Sequence, residues 1–215
     1  MNTDLGDYRE SYEKQELLEN NVSDNPMEVF QKWFLEVDEN FDVGETNAMT
    51  LSTLGLDGFP KGRVVLLKKY TYEGFIFYTN YESEKGRAIA NNPNVCLSFF
   101  WPAAERQIII KGKVEKIAEN LSDGYFESRP RGSQLGALVS HQSEPIENRD
   151  VIEQRLESLE KEFEGKEIPR PEFWGGFIVK PVEIEFWQGR PNRLHDRLRY
   201  QLDEEFNWNL DRLSP

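Results

Sequence analysis

The sequence predicts a mainly β protein with peripheral helices (α+β), built on an antiparallel barrel that is closed or nearly closed. Three observations carry this. Short apolar runs recur between about residues 48 and 200 and are joined by turn signals, which favours antiparallel neighbours. No regular βαβ alternation is visible and no G-x-G-x-x-G follows a strand, so a doubly wound dinucleotide fold is disfavoured. The length, 215 residues, fits one large barrel domain able to bury most of its apolar surface.

Residues 1–24 are polar and charged (Glu10, Glu13, Lys14, Glu16, Glu19) and predict a flexible acidic arm or a loosely packed helix ahead of a single domain spanning 25–215. Asn25-Pro26 has the form of an N-cap followed by proline at the first helical position. Val29, Phe30, Trp33, Phe34 and Val37 then give a helix one apolar face. Strands are expected over 48–54 and 62–70, flanking the hairpin signal Asp57-Gly58, and over 75–79 after Glu73-Gly74. A short helix is expected over 83–91, a strand pair over 95–101 and 107–117, and short helices over 119–129 and 133–139. Residues 149–163 form a charged amphipathic helix, with Val151, Ile152, Leu156, Leu159 and Phe163 at helical spacing. Late strands are expected over 177–179, 182–186 and 193–200, for a total of about six or seven.

The net charge of −13 argues against general nucleic-acid binding and against docking on anionic membranes. No apolar run reaches the length of a membrane span, and the N-terminus lacks a basic n-region with an apolar core, so a cytoplasmic location is expected. One cysteine, Cys96, lies in an apolar run and reads as an inert core thiol. With only two histidines beside it, no Cys/His metal site is expected.

Against this acidic background, three arginines and a histidine crowd into residues 187–197. Arg193, His195 and Arg197 are spaced by two, which in a strand sends them to one face. A row of cationic donors suits phosphate or carboxylate oxygens; the plainer alternative is a solvated strand paired with surplus carboxylates. Arg63 and Lys68 bound the apolar run Val64, Val65, Leu66 and Leu67. Being five apart, they serve one ligand only across a strand end or a bulge. Tyr78 and Thr79 lead into a helix start at Ser83 with Lys85 behind it, a natural phosphate cradle in which Ser83 is equally a plain N-cap. Tyr125 and Arg129 share a helix face, and Ser133 is expected to open the next helix. Gln142 and Ser143 follow in a polar loop; His141, with no nucleophile nearby in sequence, is not read as catalytic.

These segments, together with Glu105-Arg106-Gln107, Trp187-Gln188-Gly189 and the ending Arg212-Leu213-Ser214-Pro215, resemble the pyridoxamine/pyridoxine 5'-phosphate oxidase family in order, from about residue 26 onward. The resemblance implies an FMN-binding split barrel, a homodimer with FMN at the subunit interface, and residues from both chains in each site. It implies FMN contacts from Arg63, Val64, Val65, Leu66, Leu67, Lys68, Tyr78, Thr79, Lys85, Gln107, Gln142, Ser143, Trp187 and Arg197. Substrate contacts are implied for Lys68, Tyr125, Arg129, Ser133, Arg193 and His195, the last two being the catalytic pair that holds C4' of the vitamer against flavin N5. The implied reaction converts pyridoxamine or pyridoxine 5'-phosphate to pyridoxal 5'-phosphate with dioxygen as acceptor, releasing hydrogen peroxide, and ammonia from the amine.

One position departs from the family pattern: Glu84 stands where an arginine is common. A carboxylate there is tolerable if it points away or pairs with Lys85 or Arg87. Two rival functions fit parts of the same pattern. One is a split-barrel oxidase of a phenazine-like aromatic precursor, which has no use for the phosphate set Tyr125, Arg129 and Ser133. The other is a carrier of flavin or pyridoxal phosphate without turnover.

Overall fold

The computed structural model describes residues 4–7 and 10–215. The predicted arm therefore falls partly on residues 1–3 and 8–9, outside the described residues.

Among the described residues there are five α-helices and nine strands; the helices are α1 (Pro26–Asn40), α2 (Glu84–Asn91), α3 (Glu119–Ser128), α4 (Arg131–Val139) and α5 (Asp150–Glu162). The strands are β1 (Ala48–Leu54), β2 (Pro60–Leu66), β3 (Lys69–Thr71), β4 (Gly74–Asn80), β5 (Asn94–Trp101), β6 (Arg106–Lys116), β7 (Trp174–Gln188), β8 (Asp196–Leu202) and β9 (Trp208–Leu213). They follow the order β2-β1-β5-β6-β7-β4-β3 in one sheet, with β8 added on β7 and β9 on β8. The chain divides into two compact units, one comprising residues 1–50, 97–111 and 181–215, the other 51–96 and 112–180.

In the first unit, Asn25 caps α1 by accepting from the Met27 amide at 2.9 Å, with Pro26 in the first turn. The apolar face of α1 is buried as its spacing predicts: Phe30 packs on Phe99, and Trp33 on Phe186, with ring centroids 5.4 and 5.2 Å apart. Arg106 is buried behind this layer. Its guanidinium lies 4.4 Å over the Trp33 ring and donates to Gln188 Oε1 at 3.0 Å, Glu36 Oε2 at 3.1 Å and Gln15 Oε1. Leu17 is buried, and Lys14 donates its main-chain N–H to Glu105 Oε2 at 3.0 Å.

In the second unit, β4 pairs antiparallel with β3 and with the first half of β7. Phe126, Leu135, Ile168 and Trp174 form a buried cluster under α3, α4 and α5. Gly86 lets the first turn of α2 sit against the preceding segment: an added Cβ would lie 2.0 Å from the Tyr81 carbonyl oxygen.

Several expectations are revised. The strand expected over 62–70 starts at Pro60, breaks after Leu66 and resumes at Lys69, where the amide of Lys68 turns to the Ile76 carbonyl at 2.9 Å. The expected strands 177–179 and 182–186 are one strand, β7. It pairs with β4 over Trp174–Val179 and with β8 over Glu183–Gln188, so Pro181, which has no N–H to donate, falls between the two registers. Helix α4 begins at Arg131, placing Ser133 inside the first turn rather than at its start. The strand expected over 193–200 begins only at Asp196: Asn192 and Arg193 take left-handed φ values of 57° and 62° in a 3-10 turn opened by Pro191. The one-face row of Arg193, His195 and Arg197 is therefore not formed by a strand. β9 is an additional strand that sequence reading leaves out.

Candidate active site

Within the second unit, β2, β4, α2, α3 and α4 surround a cavity of about 420 Å³. Its lining includes predicted cofactor residues (Val65, Leu66, Lys68, Tyr78, Thr79, Lys85, Gln142) and predicted substrate residues (Lys68, Tyr125, Arg129, Ser133). Asn80, Gly136, Ala137, Ser140 and Trp174 complete it.

Lys85 is held by the helix start. Ser83 caps α2, its hydroxyl oxygen accepting from the Gly86 amide at 3.3 Å, and Lys85 follows two positions on. The ammonium is buried and donates to Ser83 Oγ at 3.3 Å and Gln142 Oε1 at 3.1 Å, both neutral acceptors. Burial, then the nearby charge of Arg63, pushes Lys85 down to about 8. Thr79 donates to the same Gln142 oxygen at 3.5 Å. Arg63 is oriented by the Leu51 carbonyl at 3.1 Å and Thr53 Oγ1 at 2.8 Å, and burial lowers its pKa as well. Cations this desolvated and mutually repulsive, with no carboxylate bonded to either, are a fitting cradle for a phosphate ester. Glu84 does not fill that role: it pairs with Lys61 at 2.6 Å, a partner not anticipated among Lys85 and Arg87.

The opposite wall is aromatic and cationic. Tyr78 and Tyr125 stack with centroids 3.8 Å apart, and Trp174 lies nearly parallel to Tyr78 at 5.6 Å. Arg129 lies over Trp174 at 4.6 Å, and its Nη1 is buried with no hydrogen-bond partner among the described residues. Such a donor is available to an acceptor brought by a ligand. Lys68 lines the same cavity from the gap between β2 and β3, whereas Arg63 is not among the lining residues. Val64 is exposed, Leu67 is buried, and Ser143 is exposed with a left-handed φ of 77°.

The remaining predicted residues, Gln107, Trp187, Arg193, His195 and Arg197, belong to the first unit. Trp187 and Arg197 are cross-strand partners. His195 packs against Trp187 at 4.6 Å and Tyr12 at 5.9 Å, and Tyr12 meets Trp187 edge-on at 5.8 Å. Burial and the charge of Arg193 lower the His195 pKa. Arg197 makes a two-pronged pair with Glu185 (2.8 and 3.1 Å) and donates to the Ser214 carbonyl at 2.9 Å. Arg193 is exposed.

Sequence reasoning missed Trp174, Tyr12 and Glu185. Trp174 follows a proline-rich turn and carries no motif; Tyr12 sits in the polar arm. Glu185 was read only as strand, although a carboxylate between apolar strand residues is itself a signal of a buried ion pair. Among the described residues no cluster of His, Cys, Asp or Glu could hold a metal, and no helix is long and apolar enough to cross a membrane.

The comparisons agree with this geometry. Residues 36–162 match the family model for pyridoxamine 5'-phosphate oxidase, and residues 174–215 match a pyridoxine 5'-phosphate oxidase C-terminal dimerisation region. The chain is 68% identical over 212 residues to the pyridoxine/pyridoxamine 5'-phosphate oxidase of Flavobacterium psychrophilum, covering 99% of each. It is 64% identical over 211 residues to that of Flavobacterium johnsoniae, covering 98% of this chain and 99% of the other. In fold it matches PhzG from Burkholderia lata 383, solved with tetrahydrophenazine-1-carboxylic acid (TM-score 0.85, 28% identity, 93% of this chain and 98% of the other). An FMN-binding protein from Nostoc punctiforme shares the fold alone (TM-score 0.71, 14% identity, 90% and 100% covered). These are split-barrel structures, and the antiparallel sheet with peripheral helices described above is of that class. The chain belongs to the pyridoxamine 5'-phosphate oxidase family.

Proposed function

We infer that the chain oxidises pyridoxine and pyridoxamine 5'-phosphates to pyridoxal 5'-phosphate in vitamin B6 salvage, using FMN and dioxygen. The observation that carries the reading is one cavity lined by three cations, Lys85, Lys68 and Arg129, with Arg63 close enough to Lys85 to lower its pKa. This much positive charge suits two phosphate esters, one on the flavin and one on the vitamer.

FMN fits this donor set. Lys85, Arg63, Thr79, Gln142 and Ser143 would hold its phosphate and ribityl chain, with the β2 segment from Val64 to Leu67 alongside. The chemistry supplied by bound FMN is acceptance of a hydride from substrate C4' and return of the electron pair to dioxygen as hydrogen peroxide. The residues of this chain orient and desolvate. Lys68, Arg129 and Ser133 grip the vitamer phosphate, and Tyr125 packs beside it. In a homodimer whose sites each take residues from both chains, Arg193 and His195 would face the pyridine ring and Gln107, Trp187 and Arg197 would contact the flavin. The dimerisation-region match at residues 174–215 supports that assembly. Pyridoxine phosphate leaves as the aldehyde; pyridoxamine phosphate leaves as an imine that water hydrolyses to the aldehyde and ammonia.

The likeness to a structure bound to tetrahydrophenazine-1-carboxylic acid favours one alternative, oxidation of an unphosphorylated tricyclic ring. The buried Nη1 of Arg129, which has no hydrogen-bond partner among the described residues, favours the phosphorylated substrate instead. Purified protein is expected to be yellow and to release peroxide and pyridoxal phosphate from pyridoxamine phosphate. Colourless protein that reflavination does not activate, or turnover confined to the tricyclic acid, would reverse the assignment.

A further inference from the structure

We propose that His195 acts in this site as a fixed hydrogen-bond donor through Nε2, its tautomer set by the main-chain amide of Arg190. The proposal rests on the oxidase reading only for what the donor faces.

The Arg190 N–H points at His195 Nδ1 at 3.1 Å. An amide N–H can only donate, so Nδ1 must carry the lone pair, and the proton of the neutral ring sits on Nε2. The loop is shaped for this contact. Arg190 is extended, Pro191 opens a turn, and the left-handed residues Asn192 and Arg193 bring the chain back on itself, with Leu194 donating to the Pro191 carbonyl at 3.1 Å. The ring packs against Trp187 at 4.6 Å and Tyr12 at 5.9 Å, and those two rings also touch each other.

A histidine built as a general base has the opposite polarity: Nδ1–H donates to a carboxylate or carbonyl and Nε2 is left with the lone pair. The neighbouring carboxylate here, Asp196, is otherwise engaged. It accepts from the Leu17 amide at 3.1 Å and from Arg212 at 2.9 Å, and lies 3.6 Å from the Arg190 guanidinium. Glu16 is drawn to Arg190 at 3.5 Å. Among the described residues, burial and the charge of Arg193 disfavour a second proton on the ring. The imidazole is therefore neutral near pH 7 and offers N–H to an acceptor on the substrate ring. The proton that the alcohol or amine must lose as C4' gives up its hydride therefore passes to an acceptor other than His195, such as water.

The chain has two histidines, His141 and His195, which makes the tautomer directly readable. The test is long-range proton–nitrogen NMR of the flavin-loaded protein with labelled histidine, near pH 8, with His141→Gln to assign the signals. A pyridine-like Nδ1 and a pyrrole-like Nε2 for His195 are expected. The reverse pattern, or an averaged one, overturns the proposal. In kinetics, His195→Gln, which keeps an N–H donor near the Nε2 position, should retain kcat within about tenfold. His195→Glu, which offers an acceptor, should lose roughly a hundredfold or more. Equal losses in the two variants would also overturn it. The spectrum needs no substrate, so an enzyme that failed to oxidise the vitamers would refute the function and leave the tautomer standing.

Discussion

Lys85 Nζ and Gln142 Oε1 meet at 3.1 Å, so a buried ammonium is solvated by an amide oxygen and no carboxylate. That choice of neutral partner leaves the positive charge available to a ligand. Lys85→Ala should weaken FMN binding by about 10- to 100-fold, the size of a charge-assisted hydrogen bond. Fluorescence titration of the flavin-free protein measures it; unchanged affinity would exclude Lys85 from the phosphate cradle.

The same lysine makes the affinity depend on pH. Its pKa in the free protein is about 8, below the ordinary lysine range, so the ammonium is lost as pH rises past that value. FMN affinity should fall above about pH 8, by no more than about tenfold per unit, since one proton is linked. Stability of the flavin-free protein should move oppositely. The unfolded chain holds the proton to higher pH, so from about 8 up to the ordinary lysine value wild type should gain stability relative to Lys85→Met. Urea midpoints across that window check the sign.

Arg129→Met should raise KM for pyridoxamine phosphate by roughly 10- to 100-fold, because the orphaned Nη1 finds its partner only in the bound ester. Turnover of unphosphorylated pyridoxine should change little. Equal effects on both substrates would place Arg129 outside the phosphate site.

Much of this architecture was legible in the chain, and the exceptions have physical causes. The Asn25-Pro26 cap, the apolar face of α1 and the bounds of β1 follow from local chemistry, and so they appear in the sequence. The turn at Asn192 and Arg193 does not, because two consecutive non-glycine residues take positive φ there, a conformation that their residue types do not announce. Trp174 joins the cavity only through pairing with Asn80 across β4 and β7, a long-range register that periodicity cannot reveal. β9 is polar on its outer face and thus weakly patterned, yet it pairs with β8 along its whole length.

Gly86→Ala should cost about 1–3 kcal/mol, since the added carbon meets a main-chain oxygen that cannot swing aside. Flavin retention should fall with it, because the displaced turn carries Lys85. A midpoint of unfolding equal to wild type would show that α2 can shift without penalty.

Arg106→Met should lower stability by about 3 kcal/mol, as Gln188, Glu36 and Gln15 all lose their common donor. Denaturant unfolding followed by tryptophan emission, with Trp33 stacked on that guanidinium, gives the readout.

Glu185 accepts from Nε and Nη2 along one edge of the Arg197 guanidinium, and the Ser214 carbonyl accepts from Nη1. An arginine clamped in this way has surrendered its rotamer freedom during folding, so in the proposed flavin site it would present a donor already aimed rather than a swinging chain. The same clamp keeps a counter-charge beside the cation, which makes the side chain a selective contact rather than an indiscriminate magnet for anions.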